Sequence, residues 1–447
     1  MSELLDIATR VAGWARDGEQ VEAFVVRERE TEARAYDGEV ESFTSAESLG
    51  IGVRVVVGGR QGYAYAGTLD DEAVHETRRE ARDNASFAEP DEFNGVAEPD
   101  GVATADLSLY AEALETFATD DKVALAIELE RATRAADPRI AGIESAEYID
   151  TLYESAVATS TGIAAAGRET GCYVATYALA EADGETQTGF GFSIGSDPHD
   201  LDPSVADTDA ATRATRLLGA VKPDSERLTV VLDPWVTAQL LGIVGHTLTG
   251  EAVLKGRSMF AERMGDDVAH PSITLIDDPT DPDAFTASVV DGEGIATRRT
   301  ALIDGGVLTG FLHNAYSGRR SATSSTGSAV RSGFKSGPGV GAQALSLVPG
   351  DRAPSELIAE IDNGFLVQGV AGLHSGVNPV SGDFSTGAEG LRIRNGELAE
   401  PIREVTIAST VQRLLHDIEA IGNDLEWLPM QASGVSLVVA DVTMSGA

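Results

Sequence analysis

Beyond Lys222-Pro223 the chain carries one clear helical pattern, and the rest reads as short apolar runs cut by glycine-rich turns. Such runs cannot bury their apolar faces one at a time. They must close on themselves as a barrel or stack as a sandwich. The runs fall at residues 273–276, 301–303, 307–313, 364–367, 391–394 and 435–444, and a strand at 228–232 leads into them. Asp233-Pro234 then opens the helix, a capping carboxylate followed by a residue preset for the first turn. Before residue 222 the pattern is different. Helical spacing appears at 3–16, from Asp70 to about residue 86, at about 120–136 and at 203–221. Between these lie strand patterns: Val21, Ala23 and Val25 alternate with polar residues, and turn signals stand at Asp37-Gly38, Gly58-Gly59, Asp150, Gly162, Asp183-Gly184 and Gly195. The expected architecture is α+β. An N-terminal domain at 1–222 should hold antiparallel strands with packed helices, and a β-rich, barrel- or sandwich-like domain should occupy 223–447. Residues 88–108 read as a loop. Residues 320–344, dense in Ser, Thr and Gly, are too long for a turn and read as a binding loop or lid.

Charge narrows the setting. Seventy-two acidic residues against 33 basic ones give a formal net charge of -39. The acids are spread along the chain, and lysine stands at Lys122, Lys222, Lys255 and Lys335 alone. This composition resembles that of proteins from a high-salt cytoplasm, where at ~1 M salt a Debye length of about 3 Å screens self-repulsion. The charge is therefore read as adaptation to the surroundings, not as an acidic binding surface. With no basic stripe, direct nucleic-acid binding is disfavoured. No apolar run reaches the ~18 residues of a membrane-spanning helix. The acidic start of the chain does not resemble a signal peptide, so a cytoplasmic location is expected. A single cysteine, Cys172, excludes an internal disulfide framework and a multi-cysteine zinc cluster.

The helix after Asp233 contains Leu241-Gly242-Ile243-Val244-Gly245-His246, followed by Gly250-Glu251. Its second half resembles the His-Glu-x-x-Gly-His helix of the PmbA/TldD (TldD/TldE) metalloprotease family. Four further blocks carry the resemblance in order along the chain: the run from Gly50 through Arg54 to Tyr65; Asp277-Asp278-Pro279-Thr280 with Asp291-Gly292-Glu293-Gly294; Asn378-Pro379-Val380-Ser381-Gly382-Asp383; and Gly422-Asn423-Asp424-Leu425. Val253–Ser258 (Val-Leu-Lys-Gly-Arg-Ser) is similar to the TldE/PmbA branch. On this resemblance Leu241 occupies the first ligand position, Gly242 that of the general base, and His246 that of the second ligand. The family's third ligand is a cysteine near the C-terminus, where this chain has residues 431–436, Gln-Ala-Ser-Gly-Val-Ser. Leucine offers no lone pair to a metal, and glycine no carboxylate to a water. The resemblance thus implies a chain without catalytic residues, metal ligands or a cofactor of its own. Zinc would reside in a TldD-like partner subunit, and the complex would hydrolyse unfolded peptides held as an added strand. His246, His374, Asn378 and Asp383 are the residues expected to line a cleft.

Two other readings are kept open: a self-sufficient homodimeric zinc peptidase with different ligands, and a non-enzymatic peptide-binding or gyrase-modulating scaffold. For the former, His246 and Glu251 could be joined by His270, His313, His374 or His416. Positions 241 and 246, like 246 and 251, are five apart, about 140° around a regular helix, so neither pair shares a face without distortion. Gly245 could permit that distortion or could serve close packing. Cys172 sits in an apolar strand pattern and reads as a buried small residue. No nucleophile elbow or phosphate loop is present. Asp277, Asp278 and Asp281 read as a solvated turn.

Overall fold

A computed structural model describes residues 3–447, the side chain of His374 excepted. The first half runs α1 (Glu3–Ala12), β1 (Glu19–Tyr36), β2 (Glu39–Val57), β3 (Arg60–Ala66), α2 (Asp71–Phe87), α3 (Glu112–Thr116), α4 (Thr119–Ala136), β4 (Ile140–Thr159), β5 (Ala164–Ala182), β6 (Glu185–Gly195) and α5 (Pro203–Arg216). Its six strands form one antiparallel sheet in the order β3-β2-β1-β4-β5-β6. Alternation decides which side each residue faces. Val21, Ala23, Val25, Ile51, Val53 and Val55 meet Leu4, Ala8 and Val11 of α1 and Val74 and Ala81 of α2. Further along the same face, Tyr148, Leu152, Cys172 and Val174 lie under α4 and α5.

The second half holds β7 (Glu226–Leu232), α6 (Pro234–Thr247), α7 (Gly250–Leu254), β8 (Leu275–Asp277), β9 (Thr300–Asp304), β10 (Val307–Leu308), α8 (Ala315–Arg320), β11 (Ala329–Val330), β12 (Gly339–Val340) and β13 (Leu345–Leu347). There follow α9 (Pro354–Ile358), β14 (Asn363–Ala371), α10 (Leu373–Gly376), β15 (Asp383–Arg394), β16 (Glu397–Thr410), α11 (Val411–His416), β17 (Ile418–Ile421) and β18 (Leu437–Ser445). The main sheet is ordered β16-β15-β14-β7-β18-β17, and β16 also pairs with β18 through Thr406–Ser445 and Ala408–Thr443. That extra pairing closes the sheet into a barrel. The chain is α+β, an antiparallel sheet with its helices followed by a β-barrel region. Inside the barrel core, Val236, Leu240, Leu241 and Val244 of α6 pack with Val230, Leu232, Phe365, Val367, Ile407 and Val439.

Several elements differ from the sequence pattern. The helix expected to reach residue 221 stops at Arg216, and Gly219 turns with φ 76°. The run at 307–313 is a strand for two residues only, because Thr309 and Gly310 both donate to Leu302 O and bend the chain away. Strands β1, β4 and β5 extend to 18, 20 and 19 residues. Residues 320–344 carry the small β11–β12 hairpin and reach back to the first sheet. The expected solvated turn at Asp277 is overturned: Asp277 is buried in β8, with Oδ1 accepting from Gln343 and Ala344 N–H, both at 2.8 Å.

Candidate functional site

Helix α6 begins where Asp233 Oδ1 accepts from Val236 N–H at 2.9 Å, with Pro234 in the first turn. Burial pushes the Asp233 carboxyl up to about 6, against the pull of the Arg213 guanidinium 3.4 Å away. Arg213 in turn lies over the Phe190 ring at 4.6 Å, tying α6 to α5 and β6.

The faces of α6 decide where Leu241, Gly242 and His246 point. Leu241 is 2% exposed and belongs to the barrel core. Gly242 is exposed, and a Cβ there would meet nothing within 4 Å. Gly245 is buried, and a Cβ would come within 2.7 Å of Leu345 Cδ2, so this glycine serves close packing on β13. Leu345 also pairs with the C-terminal segment: its N–H donates to Gln431 O at 2.8 Å and its carbonyl accepts from Ser433 N–H at 2.9 Å. Residues 431–433 are thus brought beside α6, from a distance of nearly two hundred positions in the chain.

His246 is exposed and lines a cavity of about 320 Å³ with Gln239, Gly242, Ile243, Thr247, Leu373, Val377 and Pro379. The backbone of His374 lies in α10 beside it, and its side chain is outside the described residues. Asn378 and Asp383 sit on the adjoining turn and hold it. Asn378 Oδ1 accepts from Val380 and Ser381 N–H at 2.9 and 3.1 Å, and Asp383 Oδ2 accepts from Ser381 O–H at 2.7 Å.

The residues present do not fit zinc. Among the described residues no group of three His, Cys, Asp or Glu side chains is placed to hold a metal, whereas a catalytic zinc takes about three protein ligands. Glu251 pairs with Lys255 on α7. His270 Nδ1 shares a hydrogen bond with Ser272 Oγ at 2.8 Å. His313 is buried against Ser317 Oγ at 3.2 Å, and burial lowers its pKa.

A second site lies where the barrel side meets the first sheet, and sequence reasoning missed it. Opposite the helices, Phe24, Val26 and Val157 pack with Ile295, Ala315 and Phe334. Gly52 makes that approach possible, since a Cβ would fall 2.6 Å from Phe334 O. At the centre Arg54 donates to Glu22 at 3.1 Å and to Glu293 at 3.0 Å, while Arg331 also pairs with Glu22. All four side chains are buried. Burial works to raise the Glu22 pKa, but the two guanidiniums outweigh it and hold it below the ordinary value. Glu293 also accepts Ala315 N–H at 2.8 Å, which fixes the start of α8. Arg54 and Glu293 belong to two of the resemblance blocks, 239 positions apart. Next to this seam open two cavities of about 500 and 410 Å³, both lined by Tyr153, Glu169 and Phe285. A usable signal existed: Glu22 shares its face of β1 with Phe24 and Val26, and a charge beside apolar side chains on a buried face calls for a partner.

The joined sheet and barrel form an architecture shared with solved structures. The structure of TldE from Thermococcus kodakarensis superposes with a TM-score of 0.87 at 22% identity, over 96% of this chain and 97% of that one. A Thermotoga maritima structure whose name refers to modulation of a DNA gyrase gives 0.90 at 24%, over 98% and 99%. Family models for the PmbA/TldA metallopeptidase match in three consecutive pieces: domain 1 at residues 21–85, the central domain at 112–218 and the C-terminal domain at 225–446. The Metalloprotease PmbA of Escherichia coli O157:H7 is 26% identical over 429 residues, 95% of this chain and 92% of its own length. A metalloprotease of Methanothermobacter thermautotrophicus is 34% identical over 214 residues, 47% of this chain and 46% of its own. The chain belongs to the PmbA/TldD metallopeptidase family.

Proposed function

We propose that this chain is a non-catalytic, TldE/PmbA-like subunit that assembles with a TldD-like metallopeptidase, the partner holding the zinc and the complex cleaving unfolded peptides. The observation that carries this is the orientation of α6. Leu241 lies in the barrel core, Gly242 faces open space, and the cavity beside them offers the His246 imidazole without a carboxylate among its described lining residues. A hydrolytic zinc needs ligands, an open position and a base, and this helix supplies at most one of them. In this reading the chain works as two domains, 1–222 and 223–447, in a salt-rich cytoplasm. The test is to purify the chain alone and with a TldD-like subunit in high salt, and to assay cleavage of an unfolded peptide with and without a chelator. Chelator-sensitive cleavage should require the partner. Cleavage by the chain alone, abolished in His246→Ala, would overturn the reading in favour of a self-sufficient peptidase.

A further inference from the structure

The face of the first sheet that turns away from its helices is not an ordinary solvated surface. Strand register places its side chains in rungs running across β1, β4 and β5. Glu28 stands opposite Tyr153, which stands opposite Glu169. Glu30 is opposite Thr151, and Thr151 opposite Gly171. Glu32 is opposite Ile149, Ile149 opposite Tyr173, and Tyr173 opposite Ile194 of β6. Carboxylates thus recur at every second residue of β1, flanked by two tyrosine rings. The strip runs directly into the two cavities under residues 282–292, where Tyr153 and Glu169 are part of the wall.

Like charges in neighbouring rungs repel, and rings and strands around them deny full hydration. Glu28, Glu32 and Glu169 are each half-buried. Burial raises the pKa of Glu28, with Glu30 adding to it, and burial likewise raises that of Glu169. The arginines at the two ends are already engaged. Arg34 lies 3.6 Å from Glu41 and 3.9 Å from Glu147, and Arg331 is held by Glu22 and by Gly292 O at 2.5 Å. Adaptation to salt explains scattered, hydrated acids. It does not explain a row of carboxylates set between aromatic rings and leading into a cleft.

The spacing identifies what would complement the row. Side chains on one face of an extended strand recur about every 6.8 Å, so an extended peptide has the same period as Glu28, Glu30 and Glu32. A compact metal ion does not match it, and among the described residues no metal-holding group is present. We propose that this acidic, tyrosine-flanked face and the cleft it enters bind an extended peptide segment carrying lysine or arginine at alternate positions, the basic side chains lying against Glu28, Glu30, Glu32 and Glu169 and the stems against Tyr153 and Tyr173. Stacked cation–ring contact and partly desolvated ion pairs would both favour such a ligand. The inference concerns this chain alone and stands whether or not it serves as a subunit beside a TldD-like partner.

The experiment is fluorescence anisotropy on the full chain, in the lowest salt at which circular dichroism shows it folded. The probes are a labelled peptide of alternating lysine and threonine and its counterpart with glutamate for lysine. The lysine peptide should bind and the glutamate peptide should not. Replacing Glu28, Glu30 and Glu32 together by Gln should weaken binding about tenfold or more, and Glu169→Gln should weaken it as well, without any fall in thermal melting. A control that removes three distant charges, Glu72→Gln with Glu80→Gln and Glu397→Gln, should alter it by less than about twofold. Equal loss in the control would reduce the effect to net charge and overturn the proposal. Undiminished binding in the β1 triple variant would overturn it too, and so would equal binding of the glutamate peptide. None of these outcomes bears on whether a partner subunit supplies cleavage.

Discussion

A side chain enclosed in an apolar core cannot join a site that opens beside that core, and Leu241 is so enclosed. It packs in the barrel core while His246, five positions on, stands in the open. Introducing a histidine and a glutamate by Leu241→His with Gly242→Glu should therefore not create a metal site. The new imidazole would have to sit unpaired in an apolar core, at a cost of about 3 kcal/mol from lost packing and a buried polar ring. Urea melts should show that loss, and metal analysis after zinc loading should find no stoichiometric zinc. Asp277 makes a second residue-scale case. Burial pushes its carboxyl up to about 6, from an ordinary 3.8, and Oδ2 has no hydrogen-bond partner. Between those two values the folded chain keeps a proton that the unfolded chain has released. This contribution to stability is complete below pH 3.8 and lost as pH rises through about 6. In Asp277→Asn the amide oxygen can still accept from Gln343 and Ala344 N–H, and the titration is gone. The fall in stability from pH 4 to pH 8 should shrink by roughly 2–3 kcal/mol, read by denaturant melts at both pH values. Asp233 and Asp291, raised to about 6 and about 7 chiefly by burial, titrate in the same direction, so some of the fall should remain.

Within α6 two glycines three residues apart have opposite surroundings, which makes the helix a sensitive probe of its own packing. Gly242 faces open space, so Gly242→Ala should gain about 0.5–1 kcal/mol by removing backbone freedom from the unfolded chain. Gly245→Ala has the same helix preference in its favour but drives a methyl to 2.7 Å from the fully buried Leu345. It should lose about 1–3 kcal/mol. Opposite shifts in thermal midpoint would confirm the placement of β13 against α6, and two gains would refute it. This helix was legible in the sequence because its start carries Asp-Pro chemistry and its length is apolar. The barrel was legible as a class from its short runs and turns. What stayed hidden was everything set by pairing across long separations. The outer half of β2 packs nothing apolar, since its residues 39–48 are exposed throughout. The closure of β16 on β18 depends on backbone registration, which composition does not encode. At the site, the motif drew attention to His246, which stands exposed on the wall of a cavity. That Asn378 and Asp383 spend their side chains on the turn could not be read from the sequence, because Asx-type turn bonding and substrate contact use the same residue types.

At the scale of the molecule, two electrostatic regimes coexist and can be separated by salt. The formal charge of -39 is mostly on the surface, where repulsion fades once the Debye length falls to a few ångströms. The seam between first sheet and barrel is the opposite case, because Arg54, Glu22, Glu293 and Arg331 are enclosed and ions in solution screen them little. Wild-type stability should therefore rise steadily as KCl goes from ~0.1 to ~2 M. Arg54→Met leaves Glu22 with Arg331 as its remaining cation and takes the guanidinium from Glu293. Removing one member of a buried ionic group costs about 3–5 kcal/mol, and the variant should melt lower at every salt concentration. The decisive quantity is the gap between the two curves. A seam sealed from solvent keeps that gap constant while both curves climb together. A gap that closes in high salt would mean that water and ions enter the seam, and that sheet and barrel are held together by the apolar contacts around Phe334 instead of by this buried charge group.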